Sequence, residues 1–393
     1  MVCREGEVDI VSVFRSRPAL RWLVPSAAAV AVIGGGAAAG TIVASADPAL
    51  PERSAAQLLV DLQGADPEGF SGTVVQSTDL GLPGVAGLLK NIEGGGLTSL
   101  VSGSNTARVW YAGEDKQRFA LLGTDGQTDV IHNANDVWIW KSSDNTGTHV
   151  TLPKDVTDAQ KQALPSSVPS TPQEAADAAL AAIDGSTKVT TTGAAEVAGR
   201  DAYELVLSPK DTNSLVGQVR LAIDAAEHIP LRVDVYAKNA TKPAVRVAFE
   251  QVSFTVPDAQ QFTFNPPPGA DIEQVTPSAD KIEQHAKEAE AEAKAPELAD
   301  AEGVKVIGEG WTTIVTGKLP ASLDEITTEA KKESAGNADA GQMVEGLLGT
   351  LEPVSGSWGS GRLLSGSLFT ALITDDGRVF AGAVTPEALY AVA

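Results

Sequence analysis

Between Arg200 and Ile272 the chain alternates apolar and polar residues almost without interruption. Val219, Leu221 and Ile223 alternate with Arg220, Ala222 and Asp224. Leu231, Val233 and Val235 alternate with Arg232, Asp234 and Tyr236. Val245, Val247 and Phe249 alternate with Arg246, Ala248 and Glu250. A period of two places one set of side chains on each side of a strand. Consecutive strands of this kind with short connections predict an antiparallel sheet with one apolar face, which something must cover.

The same pattern appears earlier. Strands are predicted at Phe70 to Ser77, Arg108 to Tyr111, Arg118 to Gly123, Thr128 to Asn133, Val137 to Lys141 and Thr148 to Leu152, with a turn at Asn133 to Asp136. Helical spacing replaces it in four places. Ala55, Leu58, Leu59 and Leu62 form an i, i+3, i+4, i+7 stripe. Val85, Leu88, Leu89 and Ile92 form a second, inside an apolar insertion from Leu80 to Val101 flanked by Pro83-Gly84 and Gly94-Gly95-Gly96. That helix between glycine hinges is predicted to be a lid; the alternative is a helix packed permanently on its own domain. Asp158 to Ala163 and Pro172 to Ile183 complete the set, the latter with Thr171 as N-cap.

Pro266-Pro267-Pro268-Gly269 is expected to end the sheet. Lys281 to Lys294, rich in Glu, Ala and Lys, reads as a solvated helical linker. Beyond it lie strand candidates at Val304 to Thr316 and Ser367 to Ile373 and a helix near Met343 to Leu348. Asp375-Asp376-Gly377 is a hairpin turn into Arg378 to Ala383.

At the other end, Arg15, Arg17 and Arg21 precede an uncharged run from Trp22 to Ala46 that closes on Ala44-Ser45-Ala46. Its length exceeds the roughly 20 residues a bilayer requires, and the layout equally fits a cleaved signal peptide. Either reading exports the body: anchored by this segment, or secreted after cleavage near Ala46. The predicted organisation is therefore 1–46 signal peptide or anchor, 47–276 main domain, 277–302 acidic linker and 303–393 a smaller α+β domain. The competing topology lets the C-terminal strands rejoin the main sheet.

Charge narrows the partners. The chain of 393 residues carries 51 acidic and 29 basic side chains, net −22, with no basic cluster after the N-terminus, so no nucleic-acid partner is expected. Its one cysteine, Cys3, precedes the apolar run, which excludes a lipobox, disulfides and a cysteine metal site. His132, His149, His228 and His285 lack metal-ligand spacing. There is no G-x-S-x-G elbow, phosphate loop or H-E-x-x-H motif. Asp224 at a strand end reads as a turn residue rather than a base. No enzyme and no cofactor are expected.

The order of elements resembles the LolA-like superfamily, which includes lipoprotein carriers and the N-terminal domain of the MucB/RseB regulators. The resemblance spans Pro51 to Ile272. It rests on Arg108-Val109-Trp110-Tyr111, on Asn133-Ala134-Asn135-Asp136-Val137-Trp138-Ile139-Trp140 and on the run from Gly199 to Leu207. Ile223-Asp224, Ile229 to Val233 and the run from Phe262 to Gly269 complete it. It implies an α+β fold, an incomplete antiparallel β-barrel wrapping helices, whose apolar interior binds lipid or lipoprotein acyl chains. The tail after Gly303 is similar to the two-domain layout of MucB/RseB proteins, which implies the alternative of an envelope sensor acting through a membrane protein partner. The candidate wall comprises Trp110, Phe119, Leu121, Trp138, Trp140, Leu205, Leu207, Leu221, Val233, Val235, Val247 and Phe249, with Val85, Leu88, Leu89 and Ile92 as the lid.

Overall fold

A computed structural model describes residues 50–82, 102–123, 126–152, 185–277, 304–319, 322 and 349–393. The first helix, α1 (Ala55–Gly64), starts where Ser54 accepts a hydrogen bond from the Gln57 backbone N–H while the Gln57 side chain returns to the Ser54 backbone. This reciprocal cap satisfies two N–H groups that a helix start otherwise leaves unpaired.

Strands follow: β1 (Phe70–Asp79), β2 (Ser102–Tyr111), β3 (Lys116–Leu122), β4 (Gln127–Asn133), β5 (Asp136–Lys141) and β6 (Thr146–Thr151). Then come β7 (Thr187–Val197), β8 (Arg200–Pro209), β9 (Val216–Asp224), β10 (Pro230–Ala237), β11 (Pro243–Ser253) and β12 (Asp271–Val275). They form one twelve-stranded sheet in the order β12-β6-β5-β4-β3-β2-β1-β11-β10-β9-β8-β7. The sheet is open, with β12 and β7 at its edges. Two runs of consecutive neighbours, β1 to β6 and β7 to β11, meet where β1 pairs with β11. A bulge between Thr73 and Val74 marks that seam. Gly72 sits beside the bulge because the Phe249 ring lies over it; a Cβ there would come within 2.8 Å of the ring.

The prolines do not end the sheet. After a 3-10 turn (Ala259–Phe262) the chain passes Pro266 to Pro268 and adds β12 to the far edge, parallel to β6. Sequence reading stopped too early because β12 pairs with a strand more than a hundred residues earlier, which no local signal announces.

A second, six-stranded sheet has the order β13-β14-β18-β17-β16-β15. Its members are β13 (Lys305–Ile307), β14 (Ile314–Lys318), β15 (Glu352–Gly356), β16 (Gly359–Ser365), β17 (Thr370–Thr374) and β18 (Arg378–Gly382), followed by α2 (Pro386–Tyr390). Ile314, Leu363, Leu372, Phe380, Val384 and Leu389 make its core. β17 begins three residues later than the alternation predicts, because Ser367 instead donates its backbone N–H to Leu80 of the first sheet. Further ties join the two sheets. Leu215 donates to Ala383, Thr385 donates to Asn213, and the Trp311 indole donates to the Thr187 hydroxyl at 2.8 Å.

Among the described residues the fold is mostly β, and its α-helical part is α1, α2 and the pair Gly349 and Thr350. The helices read at 158–163, 172–183 and 343–348, the linker 277–302 beyond its first residue, and the N-terminal segment lie outside the described residues. No described helix is long and apolar enough to cross a membrane.

Candidate functional site

Cross-strand register decides which side chains share a face. Leu205, Leu221, Val233 and Val247 lie in one row across β8, β9, β10 and β11, and Leu207 and Val235 lie in the next row on the same side. Phe249 faces Val74, which continues the row through Ala107 to Leu121, and Phe119 pairs with Val109 opposite Gly72. Nine of the twelve wall candidates therefore share one face, the face on which α1 lies. Trp110, Trp138 and Trp140 are on the other: Trp110 pairs with Arg118, which leads through Ile131 to Trp138 and His149. In β5 it is Val137 and Ile139 that share the face of Phe119. Both sets of side chains in this strand are apolar, so its alternation does not say which parity faces inward.

The nine are not equivalent. Leu205 is buried beneath Leu58 of α1, in a cluster with Tyr203 and Ile223 that Leu207 and Leu221 join. Val247 and Phe249 are buried with Phe70, Val74, Val109 and Leu231. Val233, Val235, Phe119 and Leu121 are half-buried. The rows also carry a buried polar group that sequence reading passed over. Asn105 Nδ2 donates to Gln76 Oε1, and Gln76 Nε2 donates to the Thr78 hydroxyl at 3.1 Å. The signal was present: Gln76 and Thr78 are in phase with Val74, and Asn105 with Ala107 and Val109.

The tryptophans are packed under the chain that crosses to β12. Trp138 stacks on His149 at 4.0 Å, and the Phe264 ring lies 5.2 Å from Trp138 and 5.5 Å from Trp140. His149 is held by Asp136 at 2.7 Å and by Gln274 of β12 at 2.8 Å. Phe262 is buried against this face, and Arg118 donates to the Gln261 carbonyl and to Asp129.

Farther along the same face lies a network of ion pairs. Arg246 forks onto Asp234 at 2.6 and 2.9 Å. Arg232 bonds Glu204 and lies 3.2 Å from Asp234. Arg220 is 3.7 Å from Glu204 and over the Tyr236 ring. The bonds to Asp234 raise the pKa of Arg246 against the opposing effect of burial. At the end of β9, burial works to raise the pKa of Asp224. The hydrogen bonds from Arg200 and from the Glu227 and Ala226 backbone outweigh it, and the carboxyl titrates below its ordinary range. Asp224 is thus a turn cap fixed as a carboxylate, with its oxygens engaged. Among the described residues no group of three His, Cys, Asp or Glu could hold a metal ion. The lid residues Val85, Leu88, Leu89 and Ile92 lie outside the described residues.

Residues 99–277 match the family model of the MucB/RseB N-terminal domain. No curated protein matches the sequence. Among solved structures, the Pseudomonas aeruginosa MucA/MucB complex aligns at 16% identity, covering 86% of this chain and 96% of that one, with a TM-score of 0.38. A LolA superfamily protein from Nitrosomonas europaea aligns at 12% identity over 54% of this chain and 99% of that one, with a TM-score of 0.22. The matched stretch, residues 99 to 277, takes in the strands from β2 to β12.

Proposed function

We propose that this chain is a non-enzymatic, extracytoplasmic binding protein of the MucB/RseB kind, one that reads the state of the envelope and acts through a membrane protein partner. The observation that carries this reading is the family match over residues 99–277. In this reading residues 303–393 form a second domain, built on its own core and tied to the first by the Leu215, Thr385 and Ser367 backbone bonds. The test is recovery from native membranes with the exported part as bait, followed by direct binding of the recovered protein's purified extracytoplasmic segment. Recovery of an anti-sigma-type protein that then binds directly is expected. Failure of every membrane protein to bind directly refutes the partner.

A second reading, binding of acyl chains on the α1 face, is favoured by the nine apolar residues that share it. Burial of each acyl methylene contributes about 0.8 kcal/mol, so an apolar wall alone supplies affinity. Val233, Val235, Phe119 and Leu121 are the proposed contacts, since Leu205, Leu207 and Leu221 already pack against α1. Native mass spectrometry of the purified protein, with and without added fatty-acid probes, tests it; a protein that neither co-purifies with lipid nor takes up the probes is no acyl binder.

A further inference from the structure

The face opposite α1 carries a cationic row in a strongly acidic chain. Arg220, Asp234 and Arg246 stand side by side across β9, β10 and β11. One row away Arg232 stands across from Glu204. Within this group Asp234 is matched by Arg246 and Glu204 by Arg232, so three guanidiniums face two carboxylates. The surplus charge is that of Arg220. Its guanidinium is 3.7 Å from Glu204 and stands across from Asp234, which Arg246 already holds. With the Gln218 amide turned so that its oxygen faces Arg220, that oxygen accepts at 3.1 and 3.2 Å, and the Tyr236 ring lies 5.2 Å away. Arg220 and Arg246 are each about one-third exposed, while Asp234 between them is buried. A partner above the row meets two arginines and a tyrosine, the residue types that dominate binding energy at interfaces.

We propose that this row docks an acidic extended segment of a protein partner. The spacing selects among anions. Arg220 and Arg246 are two strands apart, about 10 Å, too far for one phosphate or one carboxylate to bridge. A polyproline II segment rises about 3.1 Å per residue with three residues per turn, so acidic residues three apart present their carboxylates on one side at about 9 Å. Arg220, whose Nε and Nη2 face the neutral Gln218 amide, grips a carboxylate in two parallel bonds, which favours arginine over lysine at such a contact. Arg246, whose Nε and Nη2 hold Asp234, offers its remaining Nη1. The proposal rests on the reading that this chain works through a protein partner, and it is independent of any acyl ligand.

The test is fluorescence polarisation with a labelled (Glu-Pro-Pro)4 peptide on the full exported chain. Expected results are binding that weakens as salt rises, no binding of (Gln-Pro-Pro)4, and a loss of about tenfold, or 1.4 kcal/mol, in Arg220→Gln. Lys116→Gln, which removes the same charge from an exposed position on β3, should bind as the parent does. Because Arg220 is the most loosely partnered of the three arginines, Arg220→Gln should keep the parent's melting temperature. Equal binding of the two peptides, or undiminished binding by folded Arg220→Gln, overturns the proposal. So does Arg220-dependent binding to phosphatidylglycerol vesicles without peptide binding. The result is separable from the membrane recovery: a peptide that binds through Arg220 while no membrane protein is recovered leaves this surface standing and removes the proposed regulator.

Discussion

Substituting Asp224 tests whether the end of β9 is held by charge or by shape. The side chain is fully buried. It accepts from Arg200 Nε at 2.5 Å and Nη2 at 2.9 Å, and from the backbone N–H groups of Ala226 and Glu227 at 2.9 and 2.8 Å. Arg200 in turn lies over the Phe254 ring at 4.5 Å. Removing one member of a buried pair costs about 3–5 kcal/mol. Arg200 is about one-third exposed and rehydrates when released, which places Asp224→Ala at the low end, about 3 kcal/mol. Asp224→Asn keeps an acceptor for the turn and should cost less, about 1–2 kcal/mol. The pH dependence has a definite sign. The folded carboxyl titrates below its unfolded value of about 4, so the unfolded state binds more protons in this window. The contribution is complete above about pH 4 and disappears as pH falls through the folded pKa. Urea unfolding followed by tryptophan fluorescence, at neutral and at strongly acidic pH, reads both effects. A cost below about 0.5 kcal/mol for Asp224→Ala, the range of ordinary surface changes, refutes the reasoning. So does a gap between parent and Asp224→Asn that fails to narrow in acid.

Three further outcomes follow from packing. Leu58→Ala empties the contact between α1 and Leu205, and should cost about 2–5 kcal/mol in urea unfolding. Phe262→Ala should cost about 3–5 kcal/mol and speed hydrogen exchange in β12, whose link to the sheet the buried ring anchors. Val235→Asp and Leu221→Asp should part company. Leu221 packs on the cluster beneath α1, and its replacement should unfold the protein, whereas the folded Val235 variant should lose acyl probes; normal uptake by it removes Val235 from the wall.

Most strands of the large sheet were legible because period-two alternation is local and most strands are joined to the next by a short turn. The capped helix α1 was legible for the same reason, from its stripe of Ala55, Leu58, Leu59 and Leu62. The face assignment was legible only where the two sides differ in polarity. In β9, β10 and β11 one parity carries Val and Leu and the other Arg and Asp, and those residues were sorted together. In β5 tryptophan occupies one parity and valine and isoleucine the other, and the choice fell on the side where Phe264 and the crossing chain pack. The pairing of β12 with β6, the ties between the sheets and the Arg220 network depend on partners distant in sequence. Local pattern carries no trace of them.

The seam between β1 and β11 divides the large sheet into two successive meanders. Within each, strands pair with their neighbours in sequence, by short turns everywhere except between β1 and β2, and such local contacts form fast. Ser71 meets Ser253 only when β11, the last strand of the second meander, reaches β1. The two halves are thus complementary parts, each with a ready edge for the other. A chain cut between Leu152 and Gly185 severs none of the described strands and none of their pairings within either meander. Co-expressed as two fragments, the protein should reassemble along β1 and β11, with β12 reaching back to clasp β6 from the other polypeptide. The fold is in this sense a joint between two pieces, and a natural place to split the protein into a reporter of its own assembly.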